Sequence, residues 1–344
     1  RDDWREVIPE GERVIEAAAV IGDRLVVQSI ADVRTHLAIH GLDGALIRDV
    51  PLPGQGTVTG LGGIPGDPEG FFSYTDFTHP RRVFRLDTAT GEVRALGAAA
   101  GSEACLANVI RICLRYGNME TLANGYAISL LPLASFAMEH YADDPCELFV
   151  PKGTAEEYTA NELQLMSKMH KAITVIQLKL EAQIIQRRKQ FVMNDRLLLH
   201  KIDFAKGTIC LDGQEHPLLD THFPTIDPQN PYVLTEKEEL VLERLRLSFA
   251  NSERLQRHVR FLYSKGSLYL IYNGNLLYHG CIAMKSDGSF ASVRVDGKTY
   301  RAKGFMDRLD RLARQAYFAS DPELKQYGLD VMWYLWSGDR SPLF

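Results

Sequence analysis

The sequence predicts a mosaic, in which an all-β segment over residues 1–96 is joined to an α/β segment over residues 97–344. Three observations predict it. Residues 1–96 hold ten arginines and no lysine, methionine or cysteine, whereas the thirteen lysines, eight methionines and five cysteines all lie beyond. Twelve of the 27 glycines fall in the first segment, where they punctuate short β-prone runs. After Gly97 the apolar residues recur every three or four positions, the period of a helix. Two origins meeting near Leu96 and Gly97 would give this break in residue usage.

In the first segment, Arg24 to Ser29, Thr35 to Ile39 and Ala45 to Val50 read as strands separated by the turn residues Gly22-Asp23, Gly41 and Asp43-Gly44. Arg82 to Asp87, the turn Thr88-Ala89-Thr90-Gly91 and Glu92 to Leu96 read as strand, turn and strand. At roughly 40 to 50 residues per four-stranded blade, the segment holds about two blades, a partial propeller that cannot close a ring alone. His36, His40 and His79 fall among these strands and turns and read as structural histidines. From Asp3-Trp4-Arg5-Glu6-Val7-Ile8-Pro9, through Gly70-Phe71-Phe72-Ser73-Tyr74-Thr75-Asp76-Phe77-Thr78, to the Asp87 turn, the segment resembles the later propeller blades of prolyl oligopeptidases. That resemblance implies a propeller restricting entry to a separate α/β-hydrolase domain with a serine, aspartate and histidine triad. No Gly-x-Ser-x-Gly elbow occurs in the chain, so nothing exposes an activated serine and peptidase activity is not expected.

In the second segment, Ser102 and Glu103 open a helix running to Tyr116, with Leu106, Val109, Ile110, Cys113 and Leu114 on its apolar face. The apolar run from Tyr126 to Met138 is interrupted by Pro132 and falls short of the roughly 20 residues that span a bilayer. A long helical insertion follows over about residues 155–191. Met166, Met169, Ile173, Ile176, Leu180 and Ile184 form its stripe and charges fill the other positions, which predicts a projecting arm. Its stripe suits packing or contact between copies in a homo-oligomer, and Arg187-Arg188-Lys189 reads as a solvated helix end. Thr235 and Glu238 have capping-box spacing and predict a helix toward Phe261. Ser267 to Tyr272 and Leu276 to Cys281 flank Asn273-Gly274, an Asn-Gly signal for a hairpin.

At the end of that hairpin His279 precedes Gly280, which places an imidazole where a metal can approach. Arg111 and Arg115 are four residues apart, so one helix face can present two guanidinium forks to phosphate oxygens or to surface carboxylates. A formal net charge of -5 gives no electrostatic reason to expect nucleic acid or an anionic membrane. Cys105, Cys113, Cys146, Cys210 and Cys281 are odd in number and lack a Cys-x-x-Cys pair, which predicts reduced thiols and a cytoplasmic setting. The chain begins at Arg1 with neither an initiator methionine nor an apolar export segment, as expected of a processed or excised piece.

Several stretches beyond residue 97 together resemble class III fructose-1,6-bisphosphatase. They are Gly97 to Ser102, Ala107 to Cys113, Arg115-Tyr116-Gly117-Asn118, Leu130 to Ala134, Gln177 to Glu181, Asp220 to Thr225, Leu276 to Cys281, Arg314 to Phe318 and Trp336 to Phe344. The resemblance implies an incomplete α/β calcineurin-like phosphoesterase sandwich, a two-metal manganese centre, a sugar bisphosphate substrate and cytoplasmic gluconeogenic phosphatase activity. Of the family's ligand motifs, the strand-end His-Gly is present as His279-Gly280. Arg94-Ala95-Leu96 stands where Gly-Asn-His-Asp is expected, and no Gly-His-Thr follows before Phe344. Asp220-Thr221-His222 matches Asp-x-His in letters but precedes Phe223-Pro224 rather than a glycine, and reads as chance. The leading expectation is therefore a phosphatase-derived chain with negligible turnover. The alternatives are a non-catalytic propeller-type interaction module and an artificial chimera.

Overall fold

A computed structural model describes residues 6–32, 34–75, 82–95, 102–152, 158–319 and 321–343. His79, the stretch from Leu96 to Gly101 and the expected start of the arm at residue 155 lie outside the described residues. The chain divides into two compact units, Arg1–Gly97 and Ala98–Phe344.

The first unit contains two four-stranded antiparallel sheets. One runs β1 (Val14–Ile21), β2 (Arg24–Ala31), β3 (Arg34–His40) and β4 (Leu46–Val50). The other runs β5 (Thr57–Gly63), β6 (Glu69–Thr75), β7 (Arg82–Asp87) and β8 (Val93–Ala95). Each is a meander of sequential neighbours, matching the expected content of about two blades. Alternation sets the buried face: Thr35, Leu37 and Ile39 of β3 point inward, and Leu37 and Ile39 join Ile21, Val26, Val58, Phe72 and Leu86 in a single apolar cluster. The sheets are also tied by polar bonds. Gln28 Nε2 donates to the Val58 carbonyl at 3.1 Å, and the Val58 N–H donates to Thr35 Oγ1 at 3.2 Å. Gly22 has φ +64 and lies so close to Pro68 that an added Cβ would sit 3.0 Å from Pro68 Cα, which accounts for glycine at this crossing. His36 and His40 are half-buried, and His40 Nδ1 lies 3.0 Å from the Gly44 carbonyl, the structural role expected.

The second unit has a helical core with small sheets around it. Its helices are α1 (Glu103–Arg115), α2 (Leu131–His140), α3 (Ala160–Arg187), α4 (Glu236–Asn251), α5 (Glu253–Lys265), α6 (Ala302–Phe318) and α7 (Pro322–Ser337). Their starts follow local chemistry. Ser102 Oγ accepts from the Cys105 N–H, Pro132 stands in the first turn of α2, and Thr159–Glu162 and Thr235–Glu238 close capping boxes on α3 and α4. The single helix expected from Thr235 toward Phe261 is instead two. Ser252 adopts an extended conformation, accepts from the Leu255 N–H and donates to the Tyr126 carbonyl at 2.6 Å, so it caps α5 and pins the break.

Two expectations are corrected here. The stretch expected to project as an arm is the central helix of the unit, with 16 of the 28 residues of α3 buried. Its stripe is consumed by the unit's own core rather than offered to a second copy, and its lysines are buried with partners instead of facing water. The expected sandwich of sheets is not seen among the described residues. The strands form a three-stranded sheet of β9 (Ile202–Asp203), β10 (Thr208–Leu211) and β11 (Gln214–Pro217), plus two hairpins. Strands of two to four residues are too short to build a sandwich face, so helices supply the core. The hairpins are β12 (Tyr269–Tyr272) with β13 (Asn275–Tyr278), and β14 (Val293–Val295) with β15 (Lys298–Tyr300). At the first, Asn273 and Gly274 have φ 49 and 75, the left-handed pair the Asn-Gly turn requires. Gly328 lets α7 approach α6, because a Cβ there would lie 2.5 Å from the Ala316 nitrogen. No described helix is long and apolar enough to cross a membrane.

Candidate functional site

His279 lies just past β13, exposed, and the following Gly280 N–H donates to the Pro342 carbonyl at 2.9 Å. Among the described residues no group of three His, Cys, Asp or Glu side chains is placed to hold a metal ion. Nor does any hydrogen bond or ion pair there join His279 to Arg111 or Arg115.

The two arginines share α1, where Arg111 is drawn inward. Its Nε donates to Gln177 Oε1 at 2.8 Å and its Nη2 to Asn108 Oδ1 at 2.8 Å. Gln177 Nε2 passes the chain on to Glu181 Oε1 at 2.8 Å, which also accepts from Trp333 Nε1 at 3.2 Å. Arg111 thus clamps α1 to α3 and, through Glu181, to α7. Arg115 is half-buried in the last turn of α1, where its backbone carbonyl accepts from the Lys152 N–H. Burial lowers the pKa of His170, whose Nδ1–H donates to the Phe149 carbonyl at 2.8 Å, and the fields of Arg111 and Arg115 lower it further.

The densest buried chemistry lies elsewhere, around two lysines of α3. Lys171 is fully buried, and its Nζ reaches Asp144 Oδ2 at 2.6 Å and Asp220 Oδ2 at 2.7 Å, with the rings of Tyr141, Phe149 and Phe223 within 6 Å. His222 Nδ1–H donates to the same Asp144 oxygen at 2.8 Å, and the Cys146 N–H donates to Asp144 Oδ1 at 2.8 Å. Burial works against the Asp144 carboxylate, but the bonds from Lys171, His222 and the Cys146 N–H outweigh it and hold its pKa well below the ordinary range. Two turns along, Lys179 Nζ donates to Glu238 Oε2 at 2.7 Å and to the Thr225 carbonyl at 2.6 Å, with both charged side chains fully buried.

Sequence reasoning missed this cluster. Asp220-Thr221-His222, read as a chance match, supplies Asp220, one of the two carboxylates on Lys171, and His222, which donates to the other. The usable signal was the placement of Lys171 and Lys179, eight residues apart, among methionines and isoleucines of a helix too apolar to face water on most sides. Chemically the cluster suits holding, not turnover: each carboxylate is engaged by a cation and neither lysine is exposed.

Reactivity of the thiols follows the same burial. All five cysteines are free. Burial, reinforced by the Asp144 charge, pushes the Cys146 thiol up to about 12, and burial raises Cys105 and Cys113 as well. At pH 8 iodoacetamide is expected to modify the exposed Cys210 first and to spare Cys105 and Cys146 until the unit unfolds, as peptide mass mapping would read. Labelling of Cys146 at the rate of Cys210 in the folded chain would contradict this placement.

Comparison with known proteins follows the division into two units. The family model described as Firmicute fructose-1,6-bisphosphatase matches residues 86–344, and that of the prolyl oligopeptidase N-terminal beta-propeller domain matches residues 1–98. Fructose-1,6-bisphosphatase class 3 of Clostridium novyi (strain NT) is 56% identical over 250 residues, covering 72% of this chain and 38% of that protein. The protein of the same description from Clostridium botulinum (strain Langeland / NCTC 10281 / Type F) is also 56% identical over 250 residues, covering 72% of this chain and 37% of its own. The chain therefore spans under two fifths of the length of these relatives. A solved structure described as "Structural and Mechanistic Analysis of Two Prolyl Endopeptidases: Role of Inter-Domain Dynamics in Catalysis and Specificity" is 36% identical, with a TM-score of 0.26, and covers 26% of this chain and 13% of that one. Matched over residues 86–344, well beyond half its length, and preceded by a propeller-type segment, the chain belongs to the Firmicute fructose-1,6-bisphosphatase family.

Proposed function

We propose that residues 97–344 derive from a class III fructose-1,6-bisphosphatase, a calcineurin-like phosphoesterase. Such an enzyme hydrolyses fructose 1,6-bisphosphate to fructose 6-phosphate and phosphate with a manganese pair, in the cytoplasm, during gluconeogenesis. The observation that carries this reading is the 56% identity over 250 residues to a protein described as fructose-1,6-bisphosphatase class 3.

Two-metal hydrolysis needs carboxylates, imidazoles and amides gathered around ions about 3.5–4 Å apart. The residues described here do not fit that centre. His279 stands exposed, and Asp144, Asp220 and His222, the nearest thing to a ligand set, are turned onto Lys171 or onto one another. On this reading His279 is one retained ligand, and Arg111 is a clamp between helices rather than a phosphate ligand, because Gln177 and Asn108 engage its donors.

The expected outcome is negligible phosphate release from fructose 1,6-bisphosphate with added manganese, unchanged in His279→Ala, as a colorimetric phosphate assay would read. Turnover that His279→Ala abolishes would sink the non-catalytic part of the proposal. A second reading, an interaction module, is favoured by one observation: the hairpin leading to His279 exposes apolar side chains on both faces.

A further inference from the structure

A cavity of about 310 Å³ opens in the first unit, between the start of β3 and the loop that follows β4. Arg34, Thr35 and His36 come before the first β3 residue paired with β4, which is Leu37 against Val50. Beyond Val50 the chain leaves the sheet, and it returns where the Thr35 N–H donates to the Gly56 carbonyl at 3.2 Å. Pro51 and Pro53 fix two φ angles inside that loop, so the wall stands before anything enters. Alternation along β3 turns Thr35 and Leu37 into the core, which leaves Arg34 and His36 on the opposite face. Arg13, the residue before β1, also lines the cavity, with its Nη1 3.6 Å from Asp49 Oδ1. Among the described residues no ion pair or hydrogen bond engages the Arg34 guanidinium. Two guanidiniums against one carboxylate leave the lining with a single positive charge.

We propose that this cavity is a binding site for a small organic monocarboxylate with an apolar body. A planar guanidinium presents paired donors at the spacing of two carboxylate oxygens, so Arg34 takes the anion. The ligand carries one charge rather than two, because the Asp49 carboxylate cancels one guanidinium and repels a second negative charge. Leu52, partly buried against the core, offers an apolar wall to the body of the ligand, and Gln55 offers it an amide. The volume stands at the small end of ligand sites, which run from about 300 to 1,000 Å³, and suits an acylated amino acid. The same chemistry is presented by a free acid and by the C-terminus of a peptide. The site lies wholly within the propeller-type unit and needs neither metal nor phosphatase activity.

The test uses the intact chain and isothermal titration calorimetry with N-acetyl-leucine, its neutral amide N-acetyl-leucinamide, acetyl-Ala-Ala-Leu with a free C-terminus, and inorganic phosphate. N-acetyl-leucine is expected to bind, and the amide to bind about tenfold or more weakly, because it lacks the charge that Arg34 recognises. Arg34→Gln is expected to weaken N-acetyl-leucine by about tenfold or more and to leave the melting temperature unchanged, since the side chain is exposed. Arg24→Gln, on the same sheet but outside the cavity, should bind as the parent does. Asp49→Asn is expected to tighten binding by about threefold, a direction that loss of a merely structural ion pair would not produce. Tighter binding of acetyl-Ala-Ala-Leu than of N-acetyl-leucine would support the site and assign it to a chain terminus, and the reverse order would support it and assign it to a free acid. Failure of both carboxylates to bind, equal binding of the amide, or binding indifferent to Arg34→Gln would overturn the proposal. So would phosphate binding as tightly as N-acetyl-leucine, since the cavity would then select any anion. Phosphate release from fructose 1,6-bisphosphate is read separately, so either result there leaves this test standing.

Discussion

Lys179→Ala is expected to destabilise the second unit by about 3–5 kcal/mol, because it strands a fully buried carboxylate. Lys179 Nζ is the cationic partner of Glu238 and also donates to the Thr225 carbonyl, so its removal leaves both acceptors without that donor inside the core. Glu238 has a second duty. Its Oε2 accepts from the Thr235 N–H at 2.8 Å and so closes the capping box of α4. This makes the double variant informative. Replacing both charges, as Lys179→Met with Glu238→Leu, removes the desolvation penalty together with the attraction, and a buried pair replaced this way is often neutral or better. The lost cap should still cost about 1 kcal/mol, so the double variant is expected to be far more stable than Lys179→Ala alone, though short of the parent. Urea unfolding followed by circular dichroism would measure both. A Lys179→Ala variant as stable as the parent would mean that the pair is not buried as described.

Asp144→Asn should cost about 3 kcal/mol at pH 7, the lower end for a broken buried pair, because Asp220 stays on Lys171. The cost should depend on pH in a definite direction. The folded pKa of Asp144 lies below its ordinary value of 3.8. Above that value the carboxylate is ionised in both folded and unfolded chains, and its contribution is complete. As the pH falls through 3.8 toward the folded value, the unfolded chain takes up the proton first, and the contribution is lost. Asparagine carries no such proton, so the gap between Asp144→Asn and the parent should narrow on acidification below about pH 4. A gap constant from pH 7 to pH 2.5 would show that the Lys171, His222 and Cys146 bonds do not hold the carboxylate as described.

Those two lysines also mark where the sequence stopped being legible. Features encoded within a few residues were readable: Asn273-Gly274 gave its hairpin, the Asp87 turn joined β7 to β8, and Thr235 with Glu238 opened α4. The break at Ser252 was not, because its hydroxyl answers to the Tyr126 carbonyl, 126 residues away in sequence. The same distance problem hid α3. Charges between its apolar positions suggested a wet face, but Lys171 finds Asp144 and Asp220 at separations of 27 and 49 residues, and Lys179 finds Glu238 at 59. Periodicity records where apolar residues lie and says nothing about whether an intervening lysine has a buried partner. His279 stood out by its place at the strand end before Gly280 and by the family resemblance, and the fold around it shows an exposed imidazole beside an apolar hairpin. The family match beginning at residue 86, within β7, also overlaps the propeller match through residue 98, so the change of ancestry is blurred across a hairpin that composition alone placed at one bond.

The most direct test is the manganese content of the purified chain after equilibrium dialysis, read by elemental mass spectrometry for the parent and for His279→Ala. Less than one ion per chain, the same in both, is expected when a single exposed imidazole stands in place of a ligand cage. Two ions per chain that disappear together in His279→Ala would contradict the account.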